Sequence, residues 1–167
     1  NISDIERLSD IAHEVGIPLI IDNTMATPIL CQPGAYGADL VIYSTTKFLS
    51  GHGNAMGGAI VDIGNFDWLG GRGYPALAEP DSAYHGITFA ETFGNLGFIT
   101  YCHANALRDL GPTMSPHNAY LTLMGMETLP LRMQKHMDNA AAVASFLSDH
   151  KKVESVSWAG LPTSPYN

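Results

Sequence analysis

Two short apolar runs that end in polar chemistry constrain this chain more than any other feature. Leu19-Ile20-Ile21 leads straight into Asp22, and Leu40-Val41-Ile42-Tyr43 leads into Ser44-Thr45-Thr46-Lys47. Neither run alternates with polar residues, so each predicts a strand buried on both faces, as in a mostly parallel α/β sheet. In open sheets of that type ligands collect at the carboxyl ends of the strands. With the two strands as parallel neighbours, about 4.8 Å apart, Asp22 and the 44–47 turn open onto one crevice. A carboxylate, hydroxyls and an amine then face the same ligand.

The rest of the chain fits strands alternating with helical connections. A helix is predicted over 3–15, with Ser3 and Glu6 as a capping box, Ile5, Leu8, Ile11, Ala12 and Val15 on one face, and Gly16 as its stop. A helical turn is expected near 30–36 and a third strand over 59–63. Residues 64–88, rich in Gly, Pro and aromatic side chains, read as an irregular surface segment. Helical periodicity returns over 89–110, over 117–126 behind Ser115-Pro116, and over 129–149. Alternation over 153–158 predicts a last strand, after which Gly160, Pro162 and Pro165 leave it nothing to pair with. A chain that opens on a helix cap and closes on an unpaired strand reads as a segment of a longer protein.

Composition narrows the function classes. At 167 residues the chain is long enough for one domain with a core, and 46% hydrophobic against 14% charged residues describes a folded protein. Eight Lys and Arg against sixteen Asp and Glu give a formal charge of −8, which argues against a nonspecific grip on nucleic acid. No apolar run approaches the roughly 18 to 20 residues that span a bilayer, so no membrane association is expected. Cys31 and Cys102 form no CxxC motif and suit free thiols, with the cytoplasm as the expected compartment.

The chemistry at the two strand ends matches the needs of pyridoxal 5'-phosphate, which has a ring nitrogen to be held protonated, a phosphate to be anchored and an aldehyde to condense with an amine. Asp22 would pair with the ring nitrogen, Ser44 and Thr46 would donate to the phosphate, and Lys47 would supply the amine. Simpler readings exist for each part. A lysine after a strand is ordinarily a solvated end residue, and Asp22-Asn23-Thr24 can merely close a turn; their joint occurrence at successive strand ends favours the cofactor. Gly51-His52-Gly53 and Gly57-Gly58 resemble a phosphate cradle only weakly, and no GxxxxGK[ST] motif is present. The seven histidines form no HxxxH or HExxH pair, so they read as solvated or satisfied side chains and no metal is expected.

Ile21-Asp22-Asn23-Thr24, Thr27-Pro28, Gly37-Ala38-Asp39, Ser44-Thr45-Thr46-Lys47-Phe48 and Gly51-His52-Gly53 together resemble the Cys/Met-metabolism family of pyridoxal-phosphate enzymes. The likeness extends through Gly64-Asn65-Phe66-Asp67-Trp68, Tyr84-His85-Gly86, Leu107-Arg108-Asp109-Leu110-Gly111, Ser115-Pro116 and Glu127-Thr128-Leu129-Pro130-Leu131-Arg132-Met133. These later stretches, and Gly53-Asn54 where cystathionine-handling branches carry Ser-Asp, resemble the O-acetylhomoserine sulfhydrylase branch. The resemblance implies an α/β fold-type-I transferase with a mixed, mainly parallel sheet flanked by helices. Residues 1–128 would belong to the large cofactor domain, 129–150 to a connecting helix and 151–167 to the start of a small C-terminal domain.

The resemblance further implies Lys47 as the Schiff-base lysine, Asp22 as the ring-nitrogen partner, and Ser44 and Thr46 as phosphate ligands. Met25 stands where the family usually has an aromatic residue. The implied reaction is γ-replacement on O-acetyl-L-homoserine by sulfide or methanethiol, giving homocysteine or methionine plus acetate. The implied assembly is a homotetramer built as a dimer of dimers. The rival readings are a cystathionine γ-synthase or a methionine or cystathionine γ-lyase of the same family, and, from another class, a cofactor-free remnant serving in assembly or binding. The substrate-gripping arginine and the ring-stacking tyrosine are expected outside these residues, so the 167-residue chain alone is expected to be inactive.

Overall fold

The computed structural model describes residues 2–70 and 72–166. Asn1, Gly71 and Asn167, which the readings of the two termini and of segment 64–88 include, lie outside the described residues. Helix α1 spans Ile5–Glu14, one residue later than the capping box requires: Asp4, not Ser3, caps it, its carboxylate accepting the Arg7 amide at 3.1 Å. Gly16 ends it as expected, at φ 69°. The chain then enters strand β1, Ile20–Asp22. A short helix α2, Thr27–Leu30, and a 3-10 turn, Pro33–Tyr36, carry it to strand β2, Leu40–Ser44. Strand β3, Gly58–Asp62, follows a glycine-rich turn.

The sheet order is β1-β2-β3. β1 and β2 run parallel, with Ile20, Ile21 and Asp22 opposite Leu40, Val41 and Ile42, whereas β3 returns antiparallel, Leu40 facing Asp62 and Ser44 facing Gly58. The sheet is therefore mixed, as the family resemblance implies, with the one parallel pair at the strands whose ends carry the polar residues. The expectation of strands buried on both faces holds for Leu40 and Val41 alone. Ile20 in β1 and Ile60 and Val61 in β3 are exposed, because no other described element packs over them. The α1 stripe departs in the same way: Leu8, Ile11 and Val15 are exposed, and the helix buries Ser9 and Ala12 and packs against the 33–36 turn. Ser9 donates to the Gly37 carbonyl at 2.8 Å, and the His13 ring meets the buried Asp39 carboxylate at 2.8 Å.

Segment 64–88 is not a surface excursion. Phe66, Trp68, Tyr74, Leu77 and Tyr84 from it join Leu40, Phe89, Ala90, Phe98 and Tyr101 in the larger core cluster. Aromatic geometry explains how an aperiodic stretch packs: Trp68 stacks on Phe98 at 5.1 Å and meets Phe66 and Tyr74 edge-on. The segment includes helix α3, Pro75–Ala78. The single helix expected over 89–110 is broken into α4, Phe89–Phe93, and α5, Gly97–Tyr101, which continues as a π-helix over Cys102–Leu110. Gly94, at φ 55° and ψ −125°, interrupts it, since helical hydrogen bonds cannot continue through that conformation. Helices α6, Pro116–Met126 with Ser115 as its cap, and α7, Leu129–Ser148, match the periodicity closely. The strand expected over 153–158 does not form, because a strand needs a ladder partner and no described residue offers one.

Candidate functional site at the carboxyl edge of the sheet

Because β1 and β2 are parallel, their carboxyl ends lie on one edge, with Asp22 the last residue of the first and Ser44 the last of the second. Two hydrogen bonds draw these ends together. The Asn23 amide donates to the Ile42 carbonyl at 3.0 Å, and the Ser44 amide donates to the Thr24 hydroxyl at 2.8 Å. Thr24 also donates its amide to the Asp22 carboxylate at 3.0 Å, so one threonine serves both strand ends. The Thr24 hydroxyl and then its amide hold the exposed Asp22 carboxyl below its ordinary value, which keeps it ionised.

Asn23 organises the loop behind. Its buried side-chain amide reaches the Thr27 and Cys31 carbonyls at 3.1 and 2.9 Å and the Tyr43 hydroxyl at 3.1 Å. Thr27 is fully buried at φ 59°, an uncommon backbone conformation for a β-branched residue. It is held there by its amide bond to the Asn23 carbonyl at 2.9 Å together with the Asn23 side chain. Asn23 thus holds a strained backbone position next to the edge.

Past Ser44 the chain makes a closed turn. The Ser50 amide bonds back to the Thr45 carbonyl at 3.0 Å and the Gly51 amide to the Lys47 carbonyl at 2.9 Å. Thr45, Leu49 and Ser50 are buried while Lys47 is exposed, so the turn is anchored below and offers its lysine above. The Thr46 hydroxyl accepts the Gly57 amide at 3.1 Å and donates to the Gly57 carbonyl over a long 3.4 Å. Ser44 is half-buried, and its hydroxyl makes no hydrogen bond among the described residues. The structure thus brings Asp22, Ser44, Thr46 and Lys47 to one edge; the Lys47 amide donates to the Ser44 carbonyl at 3.5 Å, and no side-chain hydrogen bond joins the four among the described residues. A 300 Å³ cleft lined by His13, Gly16, Asp39, Asn65, Phe66 and Asp67 lies at the opposite, amino end of the strands.

The model of the Cys/Met metabolism PLP-dependent enzymes matches residues 1–167. The chain belongs to that family. It is 49% identical over 168 residues to an O-acetyl-L-homoserine sulfhydrylase of Leptospira meyeri, a match that covers 96% of this chain and 38% of that protein. A homocysteine synthase of Schizosaccharomyces pombe is 45% identical over 96% of the chain and 38% of its own length. Among solved structures, a Campylobacter jejuni protein assigned as an O-acetylhomoserine (thiol)-lyase, determined with N'-pyridoxyl-lysine-5'-monophosphate, superposes with a TM-score of 0.89 at 38% identity. That superposition covers 99% of this chain and 41% of the other. The chain therefore spans about two fifths of the length of these relatives.

The family's cofactor is pyridoxal 5'-phosphate, and the residues at the sheet edge fit it on their own chemistry. An ionised carboxylate suits a protonated ring nitrogen; a free hydroxyl and one whose donated bond is long suit a phosphate; Lys47 forms no ion pair among the described residues and leaves its amine open. Reading the residues alone names these four and the structure brings them to one edge, but that reading misses their supports. From sequence, Asn23 and Thr24 read only as part of a turn; that one ties the loop to Tyr43 and the other ties the two strand ends together is not visible there. Nothing local marks Gly57 as the partner of Thr46.

Proposed function

We propose that the full-length protein carrying this chain catalyses γ-replacement on O-acetyl-L-homoserine by sulfide or methanethiol, releasing acetate and giving homocysteine or methionine. The observation that supports the reading is the parallel β1–β2 edge, which brings an ionised carboxylate, hydroxyl donors and a free amine to one end of the sheet in a chain 49% identical to an O-acetyl-L-homoserine sulfhydrylase. When bound, pyridoxal phosphate supplies an electron sink for negative charge developing beside the substrate's amino group. Asp22 would pair with the ring nitrogen and keep its proton in place, a role its lowered pKa supports. Ser44 would donate its unused hydroxyl to the phosphate, and Thr46 would turn its proton there from the long bond to Gly57. With the cofactor bound, Lys47 would supply the amine that holds its aldehyde and the base that takes the proton from the substrate α-carbon.

The same reading assigns residues 1–128 to the cofactor domain, 129–150 to the connecting helix and 151–167 to the start of the small domain. It also carries a homotetrameric assembly and a cytoplasmic location. No helix among the described residues is long and apolar enough to cross a membrane. The test is borohydride reduction of the full-length protein with bound cofactor, followed by peptide mapping. The pyridoxyl label is expected on Lys47, and turnover is expected to be lost in Lys47→Ala. A label on Lys135, Lys151 or Lys152 overturns the site. Supplied with O-acetylhomoserine, the protein is expected to consume sulfide faster than cysteine; faster cystathionine formation overturns the reaction.

A further inference from the structure

The turn that carries Lys47 is braced from beneath by the junction of α6 and α7, and one side chain closes that brace. Arg132, one turn into α7, donates Nη2 to the Gly125 carbonyl at 2.8 Å and to the Leu49 carbonyl at 3.4 Å, while its Nε donates to the Thr128 hydroxyl at 3.1 Å. The Leu49 carbonyl lies two residues beyond Lys47, across 83 positions of sequence. No carboxylate forms an ion pair with this guanidinium among the described residues, so its charge is directed onto backbone carbonyls.

Two glycines make the seat possible. Gly125 lets α6 approach so closely that a Cβ there would collide with the Ser50 carbonyl and with the Ser50 backbone around it. Gly51 has φ +73°, and a Cβ on it would come within 2.6 Å of the Arg132 guanidinium carbon. Leu49 packs with Leu129 and Met133 of α7 in a buried cluster of their own. The backbone from Leu49 to Gly51 is thus fixed by close approach, by apolar packing and by a charged clasp, whereas Lys47 itself is exposed.

We propose that Arg132 is a positioning residue for Lys47: by clasping the Leu49 and Gly125 carbonyls it locks the lysine-bearing turn against the α6–α7 junction. The inference rests on the reading of Lys47 as the cofactor lysine. A flexible side chain that must both capture an aldehyde and carry a proton works from a fixed base, because small displacements of reacting groups are costly. Arg132 meets neither substrate nor cofactor in this scheme.

The test compares full-length wild type, Arg132→Ala and Arg132→Lys, with Ala144→Gly, a buried change farther along α7, as a control of general stability. Cofactor-free protein is mixed with pyridoxal phosphate, trapped with borohydride at timed intervals and mapped, and amide exchange is followed at Leu49, Ser50 and Gly51. Arg132→Ala is expected to label Lys47 about tenfold more slowly, the factor corresponding to about 1.4 kcal/mol, with faster exchange at those three amides. Arg132→Lys, which keeps one charged donor, is expected to recover part of both. Ala144→Gly is expected to lower Tm without changing either readout. Arg132 variants that label Lys47 and exchange at wild-type rates overturn the clasp; wild type labelled elsewhere than Lys47 overturns the underlying site instead. Should Arg132→Ala not fold, the decision falls to Arg132→Lys, for which unchanged labelling and exchange overturn the proposal.

Discussion

Thr24→Val isolates the tie between the two strand ends. Valine has nearly the shape of threonine, and Thr24 is only 9% exposed, so the substitution removes the hydroxyl with little change in packing. What it leaves behind is the Ser44 amide, which now donates to that hydroxyl at 2.8 Å and has no other hydrogen-bond partner in the ladder. Leaving a buried donor unpaired costs about 1–3 kcal/mol, which for local opening corresponds to roughly 5- to 150-fold faster amide exchange. Exchange at Ser44 in the full-length protein, measured beside Val41 as an internal reference, reads this directly. A second readout comes from Asp22. The Thr24 hydroxyl is the largest influence lowering its pKa, so the Asp22 carboxyl in the variant is expected to titrate nearer its ordinary value, as followed by carboxyl NMR. Ser44 exchanging at the wild-type rate in Thr24→Val would show that the strand ends are aligned by the β1–β2 ladder alone and that the threonine link is incidental.

Two further predictions concern the opposite end of the sheet and the core. Burial raises the Asp62 carboxyl, the Gly64 amide partly offsets this, and the Asp39 charge adds to the rise; the native state therefore binds this proton more tightly than the unfolded chain. The associated stability is present below the ordinary aspartate value, about 4, and is lost as pH rises through the native one. The Tm of Asp62→Asn minus that of wild type is accordingly expected to grow as pH rises from about 4 and then to level off; a difference independent of pH refutes the assignment. Phe89→Ala is expected to cost about 3–5 kcal/mol in denaturant unfolding, because Phe89 is 1% exposed and packs edge-on against Tyr84 and Tyr101. A loss well below 1 kcal/mol, about what an exposed position gives, refutes its place in the core.

How far the sequence could be read depended on whether an element is defined by its own residues or by distant ones. β2 is legible because its apolar run and its polar end are contiguous, and α7 because its periodicity lasts for twenty residues. The candidate edge inherits that legibility: Asp22 and Ser44 end strands whose limits show in the pattern. Burial departs from the pattern at Ile20 and Leu8, since an apolar residue states a preference for cover, and cover is supplied by other elements. Trp68 and Phe66 lie in a stretch with no period of either kind, so their core role rests on ring-to-ring geometry that no local count reveals. The Thr24 and Arg132 bonds span 20 and 83 residues and leave no local signature.

The links at the edge share one form. Thr24 holds the Ser44 amide, Thr46 straddles Gly57, and Arg132 grips the Leu49 carbonyl. Each joins a side chain to backbone, and none joins Asp22, Ser44, Thr46 and Lys47 to one another. Had Lys47 been paired with Asp22, each would have to surrender a charge-assisted bond before meeting a ligand, and binding would be weaker by that amount. With backbone taking the restraint, Asp22, Ser44 and Lys47 keep open hydrogen-bonding capacity while the chain beneath them is already ordered, and Thr46 yields only a long bond. Most of the ordering entropy at this wall is thus met during folding, which leaves more of the interaction energy available to the ligand.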